Sequence, residues 1–134
     1  MQQTTILIGL FICHWLADYT HLSTAWMLNA KRFGKPLYPI FCHALTHALL
    51  MGIFLRIYFG SWHNQIKIFW ILDRIDLCIF FQLGTHFLVD VWKGRMNGWF
   101  PSIQNPANKW HWIVFGFDQL LHAIVIILMS YYIS

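Results

Sequence analysis

Glutamate is missing from this chain altogether, and charge of any kind is scarce. All five acidic side chains are aspartates: Asp18, Asp73, Asp76, Asp90 and Asp118. Charged residues make up 10% of the 134 positions, against roughly 25% in ordinary soluble domains, and hydrophobic residues make up 58%. An ordinary soluble domain is thereby excluded, because one domain of this length has too little interior to hide so much apolar surface; a lipid solvent is the simpler reading. Cysteine is limited to Cys13, Cys42 and Cys78, an odd number, each within an apolar stretch, which argues against a disulfide framework. Cys13 and Cys42 directly precede His14 and His43 and so point about 100° away from the faces those histidines occupy. They read, with Cys78, as core thiols. The opening MQQTTILIGLFICHW has no basic residue ahead of its apolar run, so no cleavable signal peptide is expected. The net charge of +4 does not point to nucleic acid, because the lysines and arginines fall between apolar runs, as in membrane orientation signals.

What is present is histidine in a repeated spacing. Four times a histidine stands four residues from another histidine or an aspartate inside an apolar stretch: His14/Asp18, His43/His47, His86/Asp90 and Asp118/His122. Residues four apart share one face of a helix, so each pair presents two metal-competent side chains in one direction. Ionisable groups within a membrane helix are costly and mark a functional site by default. Three of the five aspartates fall in these pairs, which keeps anionic charge chiefly where it can ligate a cation.

Hydropathy predicts an all-α, integral-membrane four-helix bundle forming a single domain, residues 1–134, with spans over about 5–28, 37–59, 73–92 and 110–132, each near the roughly 20 residues a bilayer requires. Asp73 is placed to cap the third helix. The mixed aromatic and polar stretch Gly60 to Leu72 reads as interfacial, and Lys93 to Lys109, rich in Gly, Asn and Pro, as a loop. Lys31, Arg32 and Lys35 fill the first loop; Lys93, Arg95 and Lys109 fill the third. Four spans put both loops on one side, which the positive-inside rule makes cytoplasmic, with both termini outside the cell (inner) membrane.

On this topology all four pairs lie about 5 to 20 Å from the cytoplasmic helix ends, at one level. Independent packing histidines have no reason to share a depth. His21, seven residues after His14, and His111, seven before Asp118, extend the same stripes as additional candidates. His14-Trp-Leu-Ala-Asp18 and His86-Phe-Leu-Val-Asp90 repeat one pattern, which suggests a parallel duplication of a two-helix unit with the site on its pseudo-symmetry axis. His63 stands alone in the outer loop and reads as solvated. Trp15, Trp26, Trp92, Trp99, Trp110 and Trp112 read as an interfacial belt, with Trp26 and Trp99 also placed to line a substrate entrance.

Imidazole with carboxylate suits a divalent metal, zinc first. The donors outnumber the four that one zinc takes, so they fit two or more bridged ions, or one ion with ligands oriented by outer partners. An ion so held makes water a nucleophile at neutral pH. A carboxylate not fully used in binding, Asp18 or Asp90, is then the general base, and Lys93 or Lys31 draws an anionic head group to the cytoplasmic rim. Three other readings use the same residues. Interhelical hydrogen bonding alone is usually the work of Ser, Thr, Asn or Gln. Haem, with His14 or His21 facing His47 or His122, leaves the three aspartates unexplained. A divalent metal or proton transporter needs polar steps through the outer half of the helices. There TTILIGL, MGIFLRIYF and VIILMSYYI are apolar, Arg56 being the main exception.

With these motifs assembled, the chain resembles a family of small bacterial and phage membrane proteins of unknown function. The likeness rests on HWLAD (14–18) leading to AWMLNAKR (25–32), on HALTHALL (43–50), on HFLVDVWKGR (86–95) and on DQLLHAIV (118–125), in the family's order. It departs after Asp18, where a glutamine is expected about one turn on and His21 and Leu22 stand instead. That family is similar to membrane-bound metal-dependent hydrolases, which resemble the zinc-dependent phospholipase C and single-strand nuclease group. The resemblance implies hydrolysis of a phosphoester, a lipid or another, at the membrane surface.

Overall fold

The computed structural model describes residues 2–60 and 73–134. The interfacial reading of Gly60 to Leu72 and the solvated reading of His63 fall, apart from Gly60, outside the described residues. Among the described residues the fold is all-helical: α1 (Gln2–Tyr19), α2 (Ala25–Phe33), α3 (Leu37–Tyr58), α4 (Arg74–Trp99), a 3-10 turn (Pro101–Gln104) and α5 (Lys109–Ile133). Five helices thus stand where four were expected.

The first expected span does not run on to Leu28. After Tyr19 the chain turns through Thr20–Thr24, and the Thr24 side chain caps a new helix by accepting from the Met27 amide. Ser and Thr side chains supply the backbone donors freed at such a break with an alternative partner. α2 ends at Gly34, whose φ of 67° is the left-handed conformation that favours glycine. Asp73 caps α4 as expected, accepting from the Asp76 amide at 2.8 Å. α4 then runs seven residues past the expected end at Trp92, straight through Lys93-Gly94-Arg95. Gly94 read as a loop signal, but it serves close packing: a methyl there would stand 2.5 Å from the Lys31 carbonyl oxygen and nearer still to Gly34.

α1 packs on α3 and α5, and α4 packs on the same two, so these four helices close a ring. α2 lies across one end of it against α3 and α4, and the 3-10 turn closes that end against α4 and α5. At the opposite end the interior is apolar, built from Ile6, Leu10, Met51, Leu55, Ile126 and Met129. There Arg56 of α3 pairs with Asp73 at 3.4 Å and with Asp76.

The burial pattern is the reverse of a soluble protein's. Leu88 is 65% exposed while His86 and Asp90, two residues to either side, are wholly buried. Ile8, Ile53, Phe80 and Leu120 likewise face outward. An apolar exterior around a polar interior is stable only where the surroundings are themselves apolar. Among the described residues three helices, α3, α4 and α5, are long and apolar enough to cross a membrane, rather than the four anticipated.

Candidate metal centre

The four sequence pairs converge inside the ring. α1 contributes His14 and Asp18, α3 His43 and His47, α4 His86 and Asp90, and α5 Asp118 and His122; all are buried except Asp18, which is nearly so. Within pairs, His14 Nε2 lies 3.3 Å from Asp18, His86 Nε2 3.3 Å from Asp90 and His122 Nε2 3.5 Å from Asp118. Between helices, Asp18 Oδ1 stands 3.2 Å from His43 Nε2 and 3.4 Å from His47 Nε2. Asp90 meets His122 at 3.5 Å and His43 at 3.6 Å. The His86 ring lies between those of His47 and His122, with centroids 3.8 and 4.2 Å away.

Among the described residues two sets of donors are compact enough to hold a metal ion: Asp18, His43, His47 and His86, and beside them His86, Asp90 and His122, with the donor atoms of each set within 4.8 Å of one another. Donors about 2.1 Å from a tetrahedral zinc stand about 3.4 Å apart, so both sets can contract onto an ion with small side-chain movements. Six of the eight expected ligands are in these sets, and His86 is in both. Of the other two, His14 packs its ring against His47, His86 and His122. Asp118 Oδ2 instead accepts from Lys93 at 2.7 Å and from Gln119 at 3.1 Å.

Unsatisfied donors and acceptors test whether a cation fits. Although their distances are those of ion pairs, Nε2 of His14, His47, His86 and His122 and both oxygens of Asp90 make no well-directed hydrogen bond among the described residues. Buried polar atoms left this way are rare in native proteins and call for an explanation such as an ion. Here the unpartnered atoms of His47, His86, Asp90 and His122 lie within the two compact donor sets, as ligands do. The outer contacts orient them further. The single Ser23 hydroxyl proton goes to the Ala17 carbonyl (2.7 Å), so His43 Nδ1–H must donate to Ser23 Oγ (3.0 Å). That tautomer leaves the His43 Nε2 lone pair facing the cluster. Gln82 acts the other way: its Nε2–H donates to His86 Nδ1 at 3.3 Å, so a neutral His86 carries its proton on Nε2, and ligation through Nε2 requires the other tautomer with the Gln82 amide turned.

Lys31 departs most from expectation. It was placed at the rim, but α2 carries it into the centre, where its ammonium lies 3.1 Å from Asp18, 3.2 Å from Asp90 and 3.2 Å from His43 Nε2. Burial opposes its charge, but Asp90 and Asp18 outweigh burial and raise its pKa above the ordinary lysine value. Lys93, expected to serve as a cation at the rim, is bound to Asp118 and lies over the Phe115 ring at 4.9 Å. His21 leaves the α1 face because that helix ends at Tyr19, and it lies exposed in the turn. His111 stays on the α5 stripe but donates Nδ1–H to the Ile103 carbonyl at 2.8 Å. Sequence reasoning missed Ser23, Gln82 and the central place of Lys31. Gln82 carried a usable signal, four residues before His86 on the same face; Ser23 and Lys31 depend on where α2 folds.

A cavity of about 370 Å³ opens at the α2 end and reaches Asp18 and Lys31; Arg32, Lys93, Gln104 and His111 also line it.

A family profile described as "Protein of unknown function (DUF3307)" matches residues 6–134, and the chain belongs to that family. No curated protein and no solved structure matches it.

Proposed function

We propose that this DUF3307 member is a metal-dependent hydrolase embedded in the cell (inner) membrane, which cleaves a phosphoester presented at the cytoplasmic surface. α1, α3, α4 and α5 are its four spans; α1 joins the other three because it completes their ring and shows Ile8, Phe11 and Ile12 to the outside. Lys31, Arg32, Lys35, Lys93, Arg95 and Lys109, in or beside α2, the end of α4 and the start of α5, support a cytoplasmic side for the cavity end by the positive-inside rule. The observation that carries the reading is the pair of donor sets meeting at His86 beside an open cavity with a basic lining.

Asp18, His43, His47, His86, Asp90 and His122 hold one or more divalent ions, zinc by donor chemistry. Bound ions supply Lewis acidity toward a phosphoryl oxygen and toward water. The two carboxylates divide the work by position. Asp90 is fully buried and acts as a ligand, whereas Asp18 lines the cavity and can also take a proton from the attacking water. The water oxygen bonds to phosphorus, the ester P–O bond breaks, and the departing alkoxide takes up the proton that Asp18 accepted, which returns Asp18 to its carboxylate. Lys31 and Lys93 are paired with aspartates, so each offsets charge on the phosphoryl oxygens only by shifting from its carboxylate toward them. Supporting hydrolysis over transport, the described interior beyond the cluster is mostly apolar, with Gln82, Ser130 and the Arg56–Asp73–Asp76 group as its few polar members.

The test uses the purified protein in proteoliposomes loaded with zinc. The parent should cleave a chromogenic phosphodiester, and Asp90→Asn should not. Zinc flux through the parent that is lost in Asp90→Asn, without cleavage by either, would replace the enzyme with a transporter.

A further inference from the structure

The basic cavity has an apolar neighbour. Between α4, the 3-10 turn and α5 runs a second cavity of about 640 Å³, lined by Trp92, Met96, Phe100, Trp110 and Phe117 among others. Ile103 and Val114 line both cavities, so the two lie side by side with a common wall. That wall is held firmly: His111 donates to the Ile103 carbonyl, Asn108 Nδ2 to that of Ser102 (3.1 Å), and Gln104 Nε2 to that of Asn97 (3.0 Å).

The charges in the basic cavity are not equally available. Lys31 is neutralised by Asp18 and Asp90, and Lys93 by Asp118. Among the described residues Arg32 faces no carboxylate: its Nε donates to Gln104 Oε1 at 3.1 Å and Phe33 lies 5.4 Å beneath it, leaving Nη1 and Nη2 uncommitted. A guanidinium fixed through Nε and open at both Nη groups is the geometry that grips a phosphate with two hydrogen bonds.

We infer that the two cavities together bind an anionic phospholipid, with its phosphate at Arg32 in the basic cavity and an acyl chain along the aromatic cleft. This rests on the hydrolase reading for its purpose, since it names the substrate class, but it can fail separately. A soluble phosphoester would use the basic cavity and leave the cleft without a role. An acyl chain matches the apolar lining of Trp110 and Phe117 and leaves the head group in the cavity that Arg32 and Asp18 both line.

The test is binding to the full-length protein in detergent, with and without a chelator, using dihexanoyl phosphatidic acid, dihexanoyl phosphatidylcholine and glycerol 3-phosphate. Phosphatidic acid should bind tightest, and still bind when metal is stripped. Arg32→Gln should weaken it by about tenfold or more, the loss of a charge-assisted pair, with little effect on phosphatidylcholine. Trp110→Ala should weaken phosphatidic acid but not glycerol 3-phosphate. Both residues are exposed, so neither change threatens the fold. Equal affinity for glycerol 3-phosphate and phosphatidic acid, or binding indifferent to Arg32→Gln, would overturn the lipid site. Lipid binding as described in a protein that takes up no metal would sink the hydrolase and leave the lipid site standing.

Discussion

Replacing His86 tests the arrangement of the centre more sharply than replacing any other ligand, because His86 alone belongs to both donor sets. His47→Ala leaves Asp18, His43 and His86 in the first set and does not touch the second. His122→Ala leaves the first set whole. His86→Ala reduces the first set to three donors and the second to two. Outer partners of metal ligands are worth about 10–100-fold in affinity, and a ligand is worth at least as much. Take free zinc at about 100 times the parent's Kd, where each occupied site adds about 2.7 kcal/mol to stability. A hundredfold loss of affinity cuts that increment to about 0.4 kcal/mol. His47→Ala or His122→Ala should therefore remove about 2.3 kcal/mol of zinc-dependent stability, and His86→Ala about twice that. The assay is unfolding in detergent with and without zinc, together with zinc content by elemental analysis. Taking the zinc increment within each variant cancels the cost of deleting a buried side chain. If His86→Ala folds poorly, His86→Gln keeps most of the volume and serves the same comparison. An increment for the His86 variants equal to that of His47→Ala would refute the shared ligand, and unchanged zinc content would remove His86 from the centre.

Gly94→Ala should destabilise the protein by about 1–3 kcal/mol, because the new methyl must retreat from 2.5 Å to at least 3.4 Å from the Lys31 carbonyl. Gly98→Ala, on the same helix with open space around it, should have no such cost, and equal melting of the two variants would contradict the close approach of α2 to α4. Reporter fusions at the C-terminus should be active only outside the cytoplasm; activity on the cytoplasmic side would invert the orientation and move the cavity to the outer face.

The helical character and the convergence of the pairs were legible because both follow from a period. A four-residue spacing names the side of a helix that must turn inward, and His14/Asp18, His43/His47, His86/Asp90 and Asp118/His122 all do so. Interruptions carry no period, and there the reading failed. Hydropathy runs on through Leu22-Ser23-Thr24-Ala25-Trp26, so nothing in composition separates α2 from α1; the break depends on the Thr24 cap. Gly94 has the opposite ambiguity, since a glycine that ends a helix and one that admits a neighbouring backbone look alike in one dimension. These two misreadings also account for Lys31: with α2 unrecognised, a lysine in a basic run belonged at the rim, and only the approach of α2 to Gly94 brings its ammonium between Asp18 and Asp90. The carbonyl that Ser23 engages, and with it the tautomer of His43, requires the same fold.

The apolar packing of Ile6, Leu10, Met51, Leu55, Ile126 and Met129 also fixes where the centre sits electrically. In an energised membrane the voltage falls across the part of the path that polarises least, and here that part is the apolar half of the ring. The cavity at the other end joins Asp18 to the solution it opens to, so ions bound at His86 would share the potential of that solution. Carrying one unit charge through 100 mV is worth about 2.3 kcal/mol, yet an ion entering from the cavity crosses almost none of that drop. On the proposed reading, metal loading at this centre would follow the concentration of ions in the compartment the cavity opens to and not the charge state of the membrane.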